Sequence, residues 1–248
     1  DGSLEGTALE GFTITHANGD DGSGIDNKSN LTINNCTISG NSSNGDGGGI
    51  YNYTGAINII GSTVSGNTAD CGGGIYDHDG SITITTSTIS GNTADNDGGG
   101  ICKYYEGTID ITRSTISGNT ADDDGGGIFD LDGSITITAS TISGNSAAGA
   151  YGDGGGIYNE RSSRLTITAS TISGNSAAGA YGGGGGIFLY YCASEDVYIG
   201  GSSDAEKNTI CGNYKTGEDP FLDQQIRDTS GSLYETYKDT NYISVYCD

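Results

Sequence analysis

Residues 133–158 read GSITITASTISGNSAAGAYGDGGGIY, and this unit, repeated along most of the chain, decides the fold. It contains three short extended segments: an alternating Ile-Thr stretch, a Thr-Ile-Ser stretch, and the segment after the glycines. In the alternating stretch every second residue is Ile, so Ile faces one side of a strand and Thr faces the other. Segments this short cannot be helices with an apolar face, so each unit predicts a set of short strands.

The unit recurs with a nearly constant spacing. The Ile after the glycines stands at Ile50, Ile75, Ile101, Ile128, Ile157 and Ile187, in steps of 25, 26, 27, 29 and 30 residues. Residues 136–152 recur without change at residues 166–182, which indicates duplication of a whole unit. A unit that is copied without disruption contacts mainly its neighbours. We therefore predict an all-β solenoid, a right-handed single-stranded parallel β-helix of about seven to eight coils of ~26 residues.

The repeat divides the chain into two predicted parts. Residues 1–213 carry the β-helix repeats, and residues 214–248 form an irregular Tyr-rich C-terminal coil or cap. An open solenoid end exposes strand edges that invite pairing. We therefore expect self-association, end to end or laterally.

The composition excludes several partners. The formal charge is −23, from 32 acidic and 9 basic residues, so the clustered Lys and Arg that nucleic-acid binding needs are missing. No stretch approaches the roughly 18 apolar residues of a membrane span, so we expect no membrane insertion. The acidity, the 46 glycines, the missing Met and the repeat type together predict a secreted, extracellular or cell-surface protein.

Two motifs carry a family resemblance. GGGIYN at residues 154–159 together with STISGN at residues 140–145 resembles the repeats of polymorphic outer-membrane-protein-like β-helices. Such repeats occur in bacterial and archaeal surface proteins, adhesins and autotransporter passengers, and the resemblance covers roughly residues 9–213. It implies an extracellular structural or adhesive solenoid, for example a subunit of a surface filament or layer, with glycans or cell-surface ligands as partners.

The Asn of the Ser-Gly-Asn turn predicts an internal amide ladder. It recurs in six units, at Asn41, Asn67, Asn92, Asn119, Asn145 and Asn175. Stacked coils place each side chain over the next one, so each amide can bond its neighbour or the turn backbone.

An acidic column precedes the glycines. Its members are Asp46, Asp70, Asp97, Asp124 and Asp153. Stacked carboxylates repel one another, and Ca²⁺ could bridge them because carboxylates and turn carbonyls are its usual ligands. The alternative is a solvated acidic loop. We expect that no cofactor is required, with Ca²⁺ as the one candidate ion.

An aromatic column follows the recurring Ile. Its members are Tyr51, Tyr76, Phe129, Tyr158 and Phe188, and Cys102 is the exception. If Ile points inwards, alternation sends these rings outwards as a binding stripe for a partner or a sugar. The alternative is that the rings pack within loops or the core.

Two other functions are weaker alternatives to adhesion. A carbohydrate-binding or carbohydrate-cleaving β-helix of the lyase type would use Asp110 and Arg113, with Lys103 nearby. Because no paired acid and base recur, we do not expect an enzyme. Ice binding would use the outward Thr pairs, which stand at Thr83/Thr85, Thr136/Thr138 and Thr166/Thr168.

The cysteines and the Asn-x-Ser/Thr triplets predict covalent modification. Disulfide candidates in the terminal region are Cys192, Cys211 and Cys247, whereas Cys36, Cys71 and Cys102 occupy different repeat positions and imply no ladder. Candidate glycan acceptors are Asn27, Asn30, Asn35, Asn41 and Asn52, although the repeat predicts that Asn41 is buried.

Overall fold

A computed structural model of the protein describes residues 7–160, 164–179, 183–190, 197–199, 208–211, 213–215, 226–228 and 243–244. All regular elements within these residues are strands, and each strand pairs in parallel with its equivalent in the next coil. The predicted right-handed parallel β-helix is therefore confirmed.

The described strands form three sheets that run along the helix axis. The long sheet contains Thr7–Glu10, Ile25–Asn27, Leu31–Asn34, Ile50–Ile60, Ile75–Thr85, Ile101–Lys103, Thr108–Thr112, Ile128–Asp130, Ser134–Thr138, Ile157–Glu160, Arg164–Thr168, Ile187–Tyr190, Val197–Ile199 and Ile226–Asp228. The Thr-Ile-Ser sheet contains Thr13–Thr15, Thr37–Ser39, Thr63–Ser65, Thr88–Ser90, Thr115–Ser117, Thr141–Ser143, Thr171–Ser173, Asn208–Cys211 and Ile243–Ser244. The short sheet contains Asn18–Gly19, Ser42–Ser43, Thr68–Ala69, Thr93–Ala94, Thr120–Ala121, Ser146–Ala147, Ser176–Ala177 and Tyr214–Lys215.

The core is a bundle of Ile columns inside the coils. In the Thr-Ile-Ser sheet, Ile89 pairs in register with Ile116, and Ile116 pairs with Ile142. The long sheet adds three further columns, and their central members, such as Ile84, Ile109 and Ile128, are fully buried. Strand pairing sets the coil spacing at about 4.8 Å, so Ile packs on Ile along the whole axis.

The Ser-Gly-Asn corner uses glycine for its conformation. Gly118 has φ +62°, a left-handed conformation that residues with a Cβ rarely adopt. The second corner uses glycine for space, because a Cβ on Gly100 would lie 2.5 Å from the carbonyl oxygen of Gly127 in the next coil. The glycines of the repeat therefore permit both the turns and the close stacking.

The long sheet has two halves. In two coils they are one continuous strand, Ile50–Ile60 or Ile75–Thr85, whereas other coils have separate strands with a connection between them. The first half follows the glycines, and the second half carries the alternating Ile-Thr stretch. The outer side of the first half bears the rings, and its inner side bears a column of buried polar residues that continues into Leu189 of the core.

The predicted C-terminal part lies mostly outside the described residues. Three strands beyond residue 213 are described, and each extends one of the sheets: Tyr214–Lys215, Ile226–Asp228 and Ile243–Ser244. The division at residue 213 and the C-terminal cap stay predictions.

Candidate functional site

The Asn side chains form a buried hydrogen-bond ladder. The Nδ2 atom of Asn92 donates to Oδ1 of Asn119 at 2.9 Å, and the backbone N–H of Asn92 donates to the same oxygen at 3.0 Å. Nδ2 also donates to the carbonyl of Val64 at 3.1 Å. Six consecutive side-chain bonds of this kind connect Asn41, Asn67, Asn92, Asn119, Asn145, Asn175 and Asn213.

A second ladder stands at the other corner of the coil. The backbone N–H of Ser87 donates to Oγ of Ser114, and that of Ser114 donates to Oγ of Ser140, each at 3.1 Å. This ladder was not predicted, although a Ser precedes each Thr-Ile-Ser stretch from Ser62 onwards. Both ladders satisfy buried polar groups, so their role is structural.

The rings of the aromatic column are buried, so the exposed stripe that we expected is wrong. The exposed fractions of Tyr76, Phe129, Tyr158 and Phe188 are 4–6%, and Tyr51 is partly buried. These rings stack between coils, with centroid distances of 5.2 Å from Phe129 to Tyr158 and 5.4 Å from Tyr158 to Phe188. With Cys71 and Cys102 they form a second apolar cluster, which we call the lateral cluster.

The loop before the glycines is the physical reason for this burial. It folds back over the strand, so closely that a Cβ on Gly125 would lie 2.7 Å from Cα of Phe129. This loop, which carries the acidic column and is called the acidic loop below, therefore covers the rings. The hydroxyl of Tyr104 donates to Oδ2 of Asp97 at 3.2 Å, which ties the two layers together.

The acidic column differs from the predicted one at a single coil. Backbone bonds align Asp46 with Cys71 and Cys71 with Asp97, because the N–H of Gly47 donates to Cys71 and that of Gly72 donates to Asp97. Asp70 was assigned to this column wrongly and stands one residue away, where its Oδ1 accepts from Asn96. The linker between Asn67 and the glycines is one residue shorter than in the next coil, which shifts the register.

The carboxylates in this column accept backbone N–H groups from the next coil. Oδ1 of Asp97 accepts from the N–H of Asp124 at 3.0 Å, and Oδ1 of Asp124 accepts from that of Asp153 at 2.8 Å. Asp21, which was not predicted as a member of the column, accepts in the same way from the N–H of Asp46 at 3.1 Å. The column is thus a third ladder along the edge of the acidic loop.

Burial opposes the charge of these carboxylates. Desolvation raises the pKa of Asp124 to about 8, and the negative charges of Asp97 and Asp153 add to the rise. The backbone hydrogen bond from Asp153 lowers the pKa, but offsets only part of the rise. Desolvation likewise raises the pKa of Asp46 and Asp97. No three His, Cys, Asp or Glu side chains within the described part of the chain are placed to hold a metal ion. The Ca²⁺ site stays a prediction without a geometric basis.

Three other rings form an exposed patch beside the lateral cluster. Tyr53, His78 and Tyr105 come from three consecutive coils, with centroid distances of 4.9 Å from Tyr53 to His78 and 4.6 Å from His78 to Tyr105. Tyr53 is 45% exposed and Tyr105 is 49% exposed. We call these three residues the aromatic patch. Tyr53 and His78 each stand three residues after the recurring Ile, whereas Tyr105 stands four residues after Ile101, so the repeat spacing did not predict this alignment.

A fully buried ion pair lies behind the lateral cluster. Nζ of Lys103 lies 2.6 Å from Oδ2 of Asp77, and both side chains have no exposed surface. The lyase-type site is therefore not assembled, because Lys103 is inside the protein whereas Arg113 is on a solvent-exposed turn. Oδ2 of Asp110 accepts a hydrogen bond from Thr108 at 3.4 Å. No salt bridge connects Asp110, Arg113 and Lys103.

The outward Thr residues are more regular on the Thr-Ile-Ser sheet than on the long sheet. The predicted Thr pairs of the long sheet align with Asn58, Ile60 and Asp110 in neighbouring coils. On the Thr-Ile-Ser sheet one outward column is Thr in every coil from Thr13 to Thr209. This column was not among the predicted Thr arrays, and ice binding stays a prediction.

The cysteines fall into two groups. Cys36, Cys71 and Cys102 are buried free thiols, and a hydrogen bond between Cys71 and Cys102 lowers the pKa of Cys71. Cys211 is buried and disulfide-bonded. Cys192 and Cys247 lie outside the described residues, so the disulfide partner of Cys211 stays a prediction.

The candidate glycan acceptors differ in accessibility. Asn30 and Asn35 are exposed, whereas Asn27, Asn41 and Asn52 are buried and could not accept a glycan in the folded protein. Among the described residues, no helix is long and apolar enough to cross a membrane.

Comparison with family models agrees with this geometry. The model described as "Right handed beta helix region" matches residues 48–219, more than half of the chain. The chain belongs to this right-handed β-helix family. Residues 35–53 of the β-helix also match the model of the Chlamydia polymorphic membrane protein repeat, in agreement with the resemblance found in the sequence. No curated protein and no solved structure is significantly similar to the chain.

Proposed function

We propose that this β-helix is an extracellular structural or adhesive solenoid, and that the aromatic patch is its contact surface for a glycan. The two family matches indicate a surface, adhesin-like β-helix protein. The observation that carries the proposal is the row of Tyr53, His78 and Tyr105 in three consecutive coils, in which both Tyr rings are exposed and the ring of His78 between them is partly buried.

The strand pairing fixes the patch in place. Tyr53 and His78 stand between the register pairs Asn52–Asp77 and Thr54–Asp79, and the backbone N–H of Tyr105 donates to the carbonyl of His78 at 3.2 Å. A surface that is ordered before binding loses little conformational entropy when a ligand docks. Tyr rings offer a large apolar face together with a hydroxyl, as the C–H and O–H groups of a sugar require.

The charge around the patch selects the kind of glycan. Asp79 follows His78 and Glu106 follows Tyr105, and both acidic residues are exposed. With a formal charge of −23 on the whole chain, an anionic polysaccharide is repelled over the range of a Debye length. We therefore propose neutral glycans as the ligands.

The test compares rings inside and outside the patch. We expect the wild-type chain to bind members of a panel of immobilised neutral glycans, and the double variant Tyr53→Ala/Tyr105→Ala to bind at least about tenfold more weakly, because about 1.4 kcal/mol of contact energy is lost. The control is Tyr198→Ala, which removes a ring that is 52% exposed on the second half of the long sheet. Absence of binding by the wild-type chain, or equal binding by the double variant, would contradict the proposal.

Assembly into a filament or layer is the structural part of the proposal. Parallel coils give an elongated body with flat faces, and the uninterrupted Thr column makes one of these faces regular. Electron microscopy of the purified chain at increasing concentration tests this part. Rods that join end to end or side by side would support it, and single rods at every concentration would refute it.

A further inference from the structure

A polar column runs behind the lateral cluster, and Lys103 is the exception in it. The positions two residues after the recurring Ile are occupied by Asn27, Asn52, Asp77, Lys103, Asp130 and Asn159 in successive coils. Lys103 is among the largest fully buried side chains in the described residues. The register places it directly between Asp77 in one neighbouring coil and Asp130 in the other.

Lys103 is in direct contact with the carboxyl group of Asp77. Nζ lies 2.6 Å from Oδ2 of Asp77 and donates to the carbonyl of Gly80 at 2.8 Å. The other oxygen of this carboxyl group, Oδ1, accepts a hydrogen bond from Nδ2 of Asn52. An amine and a carboxyl group therefore face each other in a site without exposed surface.

A charged pair at this depth is costly. Burial removes the hydration of both groups, and their attraction in the interior offsets that loss only when the geometry is good. A neutral amide in the same place would keep one donor and one acceptor and would remove both charges. Asn52 and Asn159 show that the column accommodates neutral amides in other coils.

We propose that Lys103 and Asp77 condense to an intramolecular amide, which joins two neighbouring coils covalently. A proton moves from Nζ to Oδ2 across the hydrogen bond, which gives a neutral amine and a neutral carboxyl group. The Nζ lone pair attacks Cγ, and the negative charge collects on Oδ1. When Oδ1 re-forms the carbonyl, the Cγ–Oδ2 bond breaks, and Oδ2 leaves as water with a second proton from Nζ. No oxidant, reductant or cofactor is needed.

The surroundings favour this reaction in three ways. Strand pairing holds the two reacting groups in contact, so that the step is effectively unimolecular. Asn52 donates to Oδ1, the atom on which the negative charge develops in the tetrahedral intermediate. The site has no exposed surface, so bulk water does not reach the product and the reverse hydrolysis is suppressed once the released water has left. The product ties residue 77 to residue 103 against forces that would pull the coils apart.

The test is the intact mass of the purified full chain after denaturation and reduction of its disulfides. We expect a mass lower than that of the sequence by one molecule of water, and a proteolytic peptide pair joined through Lys103 and Asp77 in tandem mass spectrometry. A mass equal to that of the sequence would overturn the proposal.

Matched variants separate the amide from other losses of water, such as cyclisation of an Asp-Gly step. Lys103→Met should restore the full sequence mass, whereas Lys28→Met, which removes the exposed partner of Asp26, should keep the deficit. Asp77→Asn should replace the loss of water by a loss of ammonia. A deficit that persists in Lys103→Met would overturn the proposal, and this mass readout does not require the variant to be stable.

Discussion

The interior of the β-helix and its lateral cluster differ in how far each column repeats the same residue type from coil to coil. Inside the coils almost every column repeats one residue type, such as Ile in the Thr-Ile-Ser sheet and Asn at the corner. In the lateral cluster each column changes from coil to coil, for example from Tyr76 to Cys102 and Phe129. The comparison teaches that identical columns carry the fold, because each coil must match its neighbours there. Columns that vary, on the lateral side and in the one polar column of the interior, are where individual coils acquire a chemistry of their own, as in the aromatic patch and at Lys103.

The largest effect that we expect comes from breaking an identical column. Asn119→Ala removes the acceptor for two N–H groups of Asn92 and the donor to the carbonyl of Ile89. Since each buried group left without a partner costs about 1–3 kcal/mol, we expect a loss of roughly 3–5 kcal/mol in the free energy of unfolding, measured by denaturant titration. The control is Asn96→Ala, which removes one surface bond to Asp70. Equal losses for the two variants would refute the structural weight that we assign to the buried Asn column.

A smaller effect on stability, with a defined pH dependence, is expected from Asp124 in the acidic column. The pKa of Asp124 is about 8 in the folded protein, above the ordinary value of 3.8. Folding therefore binds a proton between these values, so the stability falls as the pH rises from about 4 to about 8 and is constant above. Asp124→Asn should stabilise the protein by on the order of a few kcal/mol at pH 9 and have little effect at pH 4.

Thermal unfolding across this pH range checks the prediction for Asp124. The control is Asp123→Asn, which changes an exposed neighbour in the same loop. If Asp123→Asn flattens the pH dependence as much as Asp124→Asn does, the burial of Asp124 is not its cause.

The smallest effect is expected from calcium. The carboxylates of Asp97 and Asp124 already accept backbone N–H groups, and the described residues offer no set of three ligands. Ca²⁺ in the millimolar range should therefore shift the unfolding temperature no more than NaCl of equal ionic strength, as calorimetry would show. A rise that is specific to Ca²⁺ would restore the expected metal site and would assign the acidic column to ligand binding.

Much of the fold could be predicted because the repeat makes local pattern and tertiary contact coincide. Ile116 alternates with polar neighbours in the sequence, and the same alternation places it over Ile89 and under Ile142. The candidate site could not be predicted in this way. Asp70 was placed in the wrong column because its linker is one residue short, and the rings near Phe129 were expected outside because alternation ignores the loop that folds over them.

The sequence by itself determined the coil, its period, its core and the positions of the Asn residues, because a period of about 26 residues with alternating Ile leaves one way to bury the apolar side chains. Only the tertiary structure decided which residues of different coils meet: Lys103 with Asp77, Cys71 with Cys102, and the rings of the aromatic patch with one another. The physical reason is that these contacts depend on the register between coils. Linkers of unequal length set that register, and no single repeat records it.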